Sequence, residues 1–442
     1  MSLTPYPRYK PSGVEWLGEV PEHWEVKRLK VAVELTEKKV EADEENPVPY
    51  VGLENIESWT GRLLPLDPDL IPSGTANEFK AGNTLFGKLR PYLAKACNPD
   101  FSGLCSTELL VLECRGINRR ALLYLLLSDG FIKLVDSSTY GSKMPRANWG
   151  FIGDCRVPIA TPDEQRAIAD FLDRETAKID TLVARKRTLI ERLKEKRTAL
   201  ISRTVTRGLP PDAATEAGLD PHPKLKPSGV DWLGEVPEYW DVVELQRRVR
   251  RLQTGSTPPT AEERYYEDGT IPWYGPGSFD DQIELSEPVK FLHESAVADG
   301  AARLFAAHAT LIVTIGATLG KVSSLPHPGS CNQQITVVEW DQARVDSRFA
   351  TYQTKSLEHV LRAIAPSATL PILDRAQIGS LILALPPLSE QVVIARFLDT
   401  ATSDIDAVVS AVAAVIERLQ EYRTALITAA VTGKIDVRGV TE

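Results

Sequence analysis

The sequence has few of the residues that build disulfides and metal sites: five cysteines and six histidines among 442 residues. The cysteines are odd in number and lack C-x-x-C spacing, which argues against a disulfide framework and a zinc site. None of the scattered histidines pairs with a cysteine or carboxylate at metal-ligand spacing. We therefore expect no metal site, and free thiols of this kind fit a reducing cytoplasm.

Long apolar runs are also missing. No stretch approaches the roughly 18 apolar residues that a membrane-spanning helix needs, and no apolar run follows a basic start as in a secretory signal. We therefore expect no membrane association and a cytoplasmic location. No catalytic constellation is evident either. A phosphate-loop spacing from Gly82 to Lys88 is followed by Leu89 in place of the Ser or Thr that would hold magnesium.

The chain also lacks a positive net charge. It has 51 Lys and Arg residues against 60 Asp and Glu residues, so its formal net charge is −9. This balance argues mildly against nucleic-acid binding. Cations are nevertheless concentrated between Arg185 and Arg203, and nucleic acids respond to local basic surfaces more than to the total charge.

What the sequence does contain is one long helical pattern, present twice, from Thr161 to Val205 and from Leu388 to Val431. The segments E-Q, F-L-D, I-D, I-E-R-L and R-T-A-L-I recur in the same order at the same offset, which indicates an internal repeat. In each copy apolar residues follow alternating steps of three and four, the spacing of a seam that faces a partner helix. The predicted interface consists of Ile179, Leu182, Leu189, Leu193, Leu200, Ile405, Val408, Val412, Val415, Leu419, Tyr422 and Leu426.

The first copy has an imperfect seam, because Lys186 and Lys196 interrupt it while Val183, Ile190 and Ile201 widen it. Neither helix should be stable alone, since each exposes an apolar stripe. We predict an intramolecular, antiparallel coiled coil between the two copies. The alternative is a pair of unrelated amphipathic helices packed on separate domains.

A second repeat precedes each helix: Lys10 to Leu29 returns as Lys226 to Leu245. The whole chain is therefore a tandem duplication. The predicted fold class is α+β, with two mixed α/β globular domains separated by a long antiparallel two-helix coiled coil and a pseudo-two-fold internal repeat. The predicted segments are residues 1–158 (first globular domain), 159–207 (first spacer helix), 208–225 (linker), 226–385 (second globular domain) and 386–442 (second spacer helix).

Each globular domain contains a variable region rich in Gly, Pro and β-forming residues. Short apolar runs between turn residues predict strands within residues 83–89, 107–114, 309–316 and 334–340. Residues 121–135 and 350–364 are each predicted to form one helix at matching places. In an antiparallel arrangement the two domains would lie at opposite ends of the coiled coil, roughly 40 Å apart. This distance is close to one turn of B-DNA, the spacing at which dimeric proteins contact half-sites.

Several motifs occur in a fixed order along the chain: the repeated S-G-V-x-W-L-G-x-V-P-x-x-W motif, the E-Q-x-x-I-A-x-F-L-D start of each helix, and the segments Thr84 to Leu93, Gly141 to Arg146, Ile315 to Lys321 and Asn332 to Gln334. Together they resemble the specificity subunit of type I restriction–modification systems. The resemblance covers nearly the whole chain. It implies two target-recognition domains, each binding one half of a bipartite, asymmetric site on double-stranded DNA, and helices that set the spacing.

The resemblance also implies partners. The helices would dock two methyltransferase subunits, and two motor-nuclease (restriction) subunits would join for cleavage. Cofactors would be absent from this chain, and S-adenosylmethionine, ATP and Mg²⁺ would be held by the partner subunits. The chain itself would be non-catalytic, and we expect it to bind DNA weakly without partners.

Candidate DNA contacts lie in polar loops of the variable regions. Arg and Lys can bind phosphates or guanine edges, and Asn and Gln can bind adenine. The candidates are Lys88, Arg90, Tyr92, Lys95, Ser142, Lys143, Arg146, Asn148, Thr257, Tyr274, Lys321, Asn332, Gln333, Gln334, Thr369 and Arg375. Each set has a structural alternative: a solvated basic loop, an ordinary turn, or amides that hold the end of a strand.

Two other functions remain open at this stage. The repeats could form a structural adaptor that binds only protein, or the chain could be an enzyme whose site has no recognisable motif. Sequence-selective retardation of DNA in the presence of a methyltransferase distinguishes the first possibility, and turnover by the chain alone would identify the second.

Overall fold

The computed structural model describes residues 4–41, 48–68, 70, 74–141, 143–366 and 371–439. The chain divides into two compact units, one from Met1–Thr188 with Val412–Glu442 and the other from Leu189–Ala411. Each unit combines a globular region with parts of both long helices. The domain limits drawn from the sequence, which separate helices from globular regions, remain a prediction.

The first repeat supplies the strands β1 Tyr9–Pro11, β2 Glu19–Pro21, β3 Glu25–Arg28, β4 Val33–Thr36, β5 Lys39–Glu41, β6 Tyr50–Val51, β7 Thr75–Phe79, β8 Thr84–Gly87, β9 Ala96–Cys97, β10 Gly103–Cys105, β11 Leu109–Cys114 and β12 Arg156–Ile159. Its helices are α1 Leu29–Ala32, α2 Arg119–Leu126, α3 Asp129–Ser137, α4 Trp149–Asp154 and α5 Pro162–Arg207. Single 3-10 turns cover Leu53–Asn55 and Pro91–Leu93.

The second repeat supplies α6 Pro211–Glu216 and the strands β13 Leu225–Pro227, β14 Glu235–Pro237, β15 Asp241–Glu244, β16 Val249–Thr254, β17 Ile271–Tyr274, β18 Lys290–Leu292, β19 Thr310–Val313, β20 Val322–Ser324, β21 Ser330–Cys331, β22 Ile335–Trp340 and β23 Ile382–Leu385. Its remaining helices are α7 Glu294–Ala298, α8 Ser347–Ser356, α9 Glu358–Ile364, α10 Arg375–Gly379 and α11 Leu388–Val431. Further 3-10 turns cover Leu245–Arg248, Glu263–Tyr265 and Pro276–Ser278.

The globular regions share one plan, described here unit by unit. The first has an antiparallel sheet in the order β4-β11-β8-β9 beside a second sheet in the order β5-β7-β10-β6. The second has β16-β22-β19-β20, also antiparallel, beside β18-β17-β21. The four predicted strand segments are confirmed as β8, β11, β19 and β22, whose residues are mostly buried. Alternating patterns are weak here because these central strands are covered on both faces.

The prediction of one helix inside each globular region is wrong in one respect, because each region has two consecutive shorter helices at that place. Ser128 has an extended backbone between α2 and α3, and its hydroxyl donates to the Leu125 carbonyl. A serine that bonds its own chain in this way competes with a continuing helix. In the second repeat Leu357 separates α8 from α9.

The long helices pair in each unit. In the first unit, Ile168 and Ile179 of α5 share a buried core with Leu426 and Ala430 of α11. In the second, Ile201 and Val205 of α5 share a core with Ile394 and Leu398 of α11. The early part of each helix thus meets the late part of the other, so they run antiparallel. This pairing confirms the predicted coiled coil and excludes two unrelated helices.

The predicted seam is half right. Its positions one heptad apart are buried or half-buried: Ile179, Leu193, Leu200, Ile405, Val412, Leu419 and Leu426. The positions between them are wrong, because Leu182, Leu189, Val408, Val415 and Tyr422 are 37–55% exposed. In the structure, the residue that follows each of these along the chain faces the partner helix: Val183, Ile190, Val409, Ile416 and Arg423 are buried or half-buried.

Two buried arginines are also part of the helix pairing. Arg197 and Arg423 occupy equivalent positions, 226 residues apart, and are 7% and 6% exposed. Arg197 binds Asp406 and Arg423 binds Asp180, each with Nε 3.0 Å from a carboxylate oxygen. A hydrophobic pattern cannot predict a buried arginine, because its burial depends on a carboxylate from the other helix.

Candidate nucleic-acid interface

Two loops of the first globular region, predicted separately as DNA contacts, lie side by side. We call residues 88–95 and 140–148 the first loop pair. The Ala147 amide donates to the Lys88 carbonyl at 3.0 Å, and the Arg90 amide donates to the Pro145 carbonyl at 2.7 Å. Behind them the Lys88 amide donates to the Glu108 carbonyl at 3.0 Å, at the start of β11. The rigid sheet therefore holds both loops on one surface.

The first loop pair exposes cations and aromatic rings. Lys143 and Arg90 are exposed, and Nη2 of Arg90 donates to the Lys143 carbonyl at 3.4 Å. Tyr92 is 44% exposed and Tyr140 is 62% exposed. Tyr140 and Met144, which is 52% exposed, were not predicted, although both are in the T-Y-G-S-K-M-P-R segment from which neighbouring candidates were taken. Cations beside flat side chains suit contact with phosphates, sugars and base edges.

Arg146 differs from the other described cations of this surface because its partner is a carboxylate. Its Nε lies 3.1 Å from both carboxylate oxygens of Glu108. This hydrogen-bonded pairing raises the pKa of the Arg146 guanidinium above its ordinary value. Arg146 is thus held in one orientation and partly neutralised, which fits recognition of a base edge better than general attraction of phosphates.

The turn that carries Arg90 has an unusual backbone. Arg90 and Ala94 flank the 3-10 turn Pro91–Leu93 with φ of +49° and +45°. Their counterparts 226 positions later are Gly316 and Gly320, with φ of +100° and +89°. Left-handed backbone costs L-residues roughly 1–2 kcal/mol that glycine does not pay. The first repeat therefore places an arginine at a position for which the second uses glycine.

Lys95 and Lys321 were predicted as DNA contacts, but in the structure the ammonium group of each is already hydrogen-bonded within the protein. They are equivalent residues, and each ammonium donates to a backbone carbonyl: Lys95 to Leu53 at 2.6 Å and Lys321 to Phe279 at 2.9 Å. Both side chains are only half-exposed. Each lysine anchors the chain near a 3-10 turn, so its charge serves the fold.

One further candidate, Asn148, has a structural role. The Asn148 side chain accepts from the Phe151 amide and caps α4. Its counterpart Asp374 caps α10 in the same way, accepting from the Gln377 amide. Amide and carboxylate oxygens at this position satisfy amides that the first helical turn leaves free. Arg375, the first residue of α10, is exposed.

The second globular region repeats the loop frame. We call residues 314–316 and 371–375 the second loop pair. The Leu373 amide donates to the Thr314 carbonyl at 2.9 Å, and the Thr314 amide donates to the Gln334 carbonyl at 2.8 Å. Ile315 and Ile372 form the same antiparallel bridge that Leu89 and Arg146 form in the first repeat. The frame is the same, but its side chains are not.

Side chains around the second loop pair are mostly uncharged. Ile372 is 47% exposed, Gln333 is exposed, and the exposed Thr257 hydroxyl donates to Gln333 Oε1. The Asn332 amide donates to Gln334 Oε1 at 2.9 Å and its oxygen accepts from the Gln334 backbone at 3.0 Å. Asn332 therefore holds a turn, as the structural alternative proposed. Gln334 is half-buried and Gln333 is the freer amide.

Tyr274 is wrong as a surface contact. It is 2% exposed and belongs to the core that also contains Phe305 and Leu311. Burial raises the pKa of its hydroxyl. An aromatic residue in a β-forming run is equally compatible with either face of a strand, and the neighbouring sheet decides. The candidates Ser142 and Thr369 lie outside the residues that the structure describes.

Other kinds of site were also sought. Within the described ranges, no group of three or more His, Cys, Asp or Glu could hold a metal ion, and no helix is long and apolar enough to cross a membrane. Cys97 and Cys105 are buried, and burial raises the pKa of each thiol to about 12. Thiols of this kind are poor nucleophiles at neutral pH.

Comparison with known proteins supports an assignment. A family model for the type I restriction modification DNA specificity domain matches residues 237–418. The putative type I restriction enzyme MjaX specificity subunit of Methanocaldococcus jannaschii is 22% identical, with 96% of each chain covered. The type I restriction enzyme EcoDI specificity subunit of Escherichia coli is 25% identical over 38% of each chain.

The fold is similar to that of a solved structure. A solved structure from a study of complex assembly and conformational transition of the type I R-M system matches with a TM-score of 0.65 and 20% identity. The match covers 94% of this chain and 99% of that one. The family model spans the second loop pair, and the first repeat builds its loop pair on the same frame. Residues 237–418 therefore match the DNA specificity domain of type I restriction–modification systems, and the chain as a whole is similar to the specificity subunits of these systems.

Proposed function

We propose that each loop pair binds one half of a bipartite, asymmetric site on double-stranded DNA, and that the chain has no catalytic activity of its own. One observation carries this proposal: two loop pairs share a backbone frame while their exposed side chains differ. A frame kept for stability alone would not require different exposed chemistry at equivalent positions. Two unlike half-sites do require it.

The first loop pair suits a half-site that contains guanine. Arg90 and Lys143 offer several donors, and Arg146 is oriented by Glu108. Arginine and lysine bind the O6 and N7 acceptors of guanine, and unpaired cations bind phosphates. We propose that Arg146 contacts a base edge, while Lys143 contacts the DNA backbone.

The second loop pair suits a half-site with adenine and thymine. Gln333 is exposed, and glutamine amides bind the N6 and N7 edge of adenine. Ile372 offers an apolar surface of the kind that contacts the thymine methyl group. Arg375 supplies a cation for a nearby phosphate.

Partners complete the proposal. We propose that α5 and α11 set the spacing between half-sites and dock two methyltransferase subunits, and that two restriction subunits join the complex. S-adenosylmethionine, ATP and Mg²⁺ belong to these partners. The net charge of −9 fits weak DNA binding by the isolated chain, with partner cations adding to the phosphate contacts. We also propose a cytoplasmic location, where such partners act.

Gel retardation with a co-expressed methyltransferase tests the proposal. DNA fragments that carry the site should be retarded, and fragments altered in either half should compete poorly. Retardation without any preference for sequence, or no retardation in the presence of the methyltransferase, would contradict it. A chain that turns over DNA alone would contradict the non-catalytic role.

A further inference from the structure

Arg423 of α11 connects the helices to the first globular region. Its guanidinium donates to both carboxylate oxygens of Asp180, at 3.0 and 3.4 Å. It also donates to the carbonyls of Trp59 at 2.7 Å and Thr60 at 3.0 Å. The residue is only 6% exposed. A planar guanidinium with this many fixed acceptors holds its partners more rigidly than a lysine could.

The Trp59 carbonyl bound by Arg423 belongs to a short path toward the first loop pair. The Trp59 amide donates to the Ala94 carbonyl at 3.0 Å, and Ala94 ends the 3-10 turn that begins after Arg90. Trp59, Ala94 and Arg90 all have positive φ, at +66°, +45° and +49°. Such conformations persist in non-glycine residues only where the surroundings hold them. Arg423 contributes to this support from the helix.

The second repeat provides a natural comparison. Arg197, the counterpart of Arg423, makes the same ion pair with Asp406. Within the part of the chain that the structure describes, it donates no hydrogen bond to the second globular region. The equivalent turn there has Gly316 and Gly320, which adopt positive φ without strain. The additional support is therefore present in the repeat whose turn needs it.

We propose that Arg423 is a positioning residue for DNA recognition by the first loop pair: by holding Trp59 and Thr60 it fixes Ala94, and so fixes the turn that presents Arg90. This inference rests on the proposed function. Arg423 is buried and does not touch DNA. Its effect reaches the DNA through the backbone of residues 59 and 94, and it is confined to one half of the site.

The test compares Arg423→Lys with Arg197→Lys in the full chain, each co-expressed with the methyltransferase. Lysine keeps the charge opposite the aspartate but cannot bind both carbonyls and both carboxylate oxygens. Competition binding uses three fragments: the intact site, a site altered in the first half and a site altered in the second. For Arg423→Lys, the preference for the intact site over the site altered in the first half should be about tenfold smaller than for wild type. Its preference over the site altered in the second half should be unchanged. Arg197→Lys should keep both.

A second measurement tests the proposal even when a variant does not assemble with the methyltransferase. Hydrogen–deuterium exchange of the full chain alone reports the Trp59 amide, which should exchange at least about tenfold faster in Arg423→Lys and be unchanged in Arg197→Lys. Unchanged exchange, unchanged discrimination, or equal loss at both halves would overturn the positioning role. Failure of the proposed function is distinguishable, because the wild-type complex itself would then fail to discriminate at either half.

Discussion

Ile372 lies in the second loop pair at the place that Arg146 occupies in the first. Each forms the same antiparallel bridge, Ile372 with Ile315 and Arg146 with Leu89. Arg146 is held by the Glu108 carboxylate, whereas Ile372 presents an apolar side chain that is 47% exposed. One backbone frame therefore carries opposite chemistry in the two repeats, which is the property that two unlike half-sites require.

Removing one exposed cation should weaken binding through the first loop pair. Lys143 is exposed and has no ion-pair partner within the described ranges. Lys143→Ala should lower affinity and reduce the slope of log K against log salt by about 1, because one phosphate contact is lost. Binding of the methyltransferase complex to its site between low and moderate salt measures the slope. Lys80→Ala is the control, because Lys80 is also exposed and lies outside the first loop pair. An equal change there would contradict a specific role for Lys143.

Glycine at the Arg90 position should separate stability from DNA binding. Arg90→Gly relieves the left-handed strain and should raise the free energy of unfolding by roughly 0.5–1 kcal/mol, while it weakens binding of the first half-site. Urea unfolding and competition binding on the same preparation measure both. The reciprocal Gly316→Ala should lower stability by about 1 kcal/mol, since a Cβ at that residue meets only Gln334 Nε2 at 3.5 Å and the cost is conformational. If Arg90→Gly is less stable than wild type, the turn is not strained.

Two equivalent glutamates should respond to pH with opposite signs. At Glu164, burial raises the pKa, but hydrogen bonds from His23 and Thr161 outweigh it and leave the pKa below its usual range. At Glu390, burial raises the pKa, and hydrogen bonds from Tyr239 and Trp240 do not offset it. Because its pKa is lower in the folded state, Glu164 stabilises the fold at pH values above its pKa in the unfolded chain. This stabilisation is lost as the pH falls through the folded-state pKa. Because its pKa is higher in the folded state, Glu390 contributes to stability when it is protonated. That contribution is lost as the pH rises through the folded-state pKa.

The matching substitutions test these signs. Glu164→Gln should lower the free energy of unfolding near neutral pH, and Glu390→Gln should raise it. Both differences from wild type should shrink as pH falls below about 4, where each glutamate is protonated in the unfolded chain. Chemical denaturation at the two pH values measures them. Shifts of the same sign at neutral pH would contradict the assignment.

The buried ion pairs of the long helices should differ in their contribution. Asp180 accepts from Arg423, and its carboxylate lies 3.5 Å from the Arg62 guanidinium, whereas Asp406 pairs with Arg197 alone among the residues that the structure describes. Asp406→Ala leaves the buried Arg197 without its carboxylate and should cost about 3 kcal/mol of unfolding free energy. Asp180→Ala should cost less, because Arg423 keeps its hydrogen bonds to the Trp59 and Thr60 carbonyls. Thermal unfolding of the two variants compares them, and an equal or reversed order would contradict the structural difference.

The long helices were predictable because the same sequence segments recur in the same order in both copies. The seam was only half predictable, and the burial of Arg197 and Arg423 was not, because it depends on carboxylates that no periodicity reveals. The positions of the loop pairs followed from polar segments between strands. The roles of Lys95 and Lys321 did not, because an ammonium that binds a distant carbonyl has the same local sequence as one that faces solvent.

The most direct test of two unlike half-sites is methylome sequencing of a host that carries this chain and its methyltransferase, with wild type compared with the double variant Glu108→Gln, Arg146→Ile. The double variant gives the first loop pair the side chains of Gln334 and Ile372. We predict a bipartite methylated sequence in which the double variant changes one half and leaves the other half and the spacer unchanged. A single uninterrupted sequence, or a change in both halves, would contradict it.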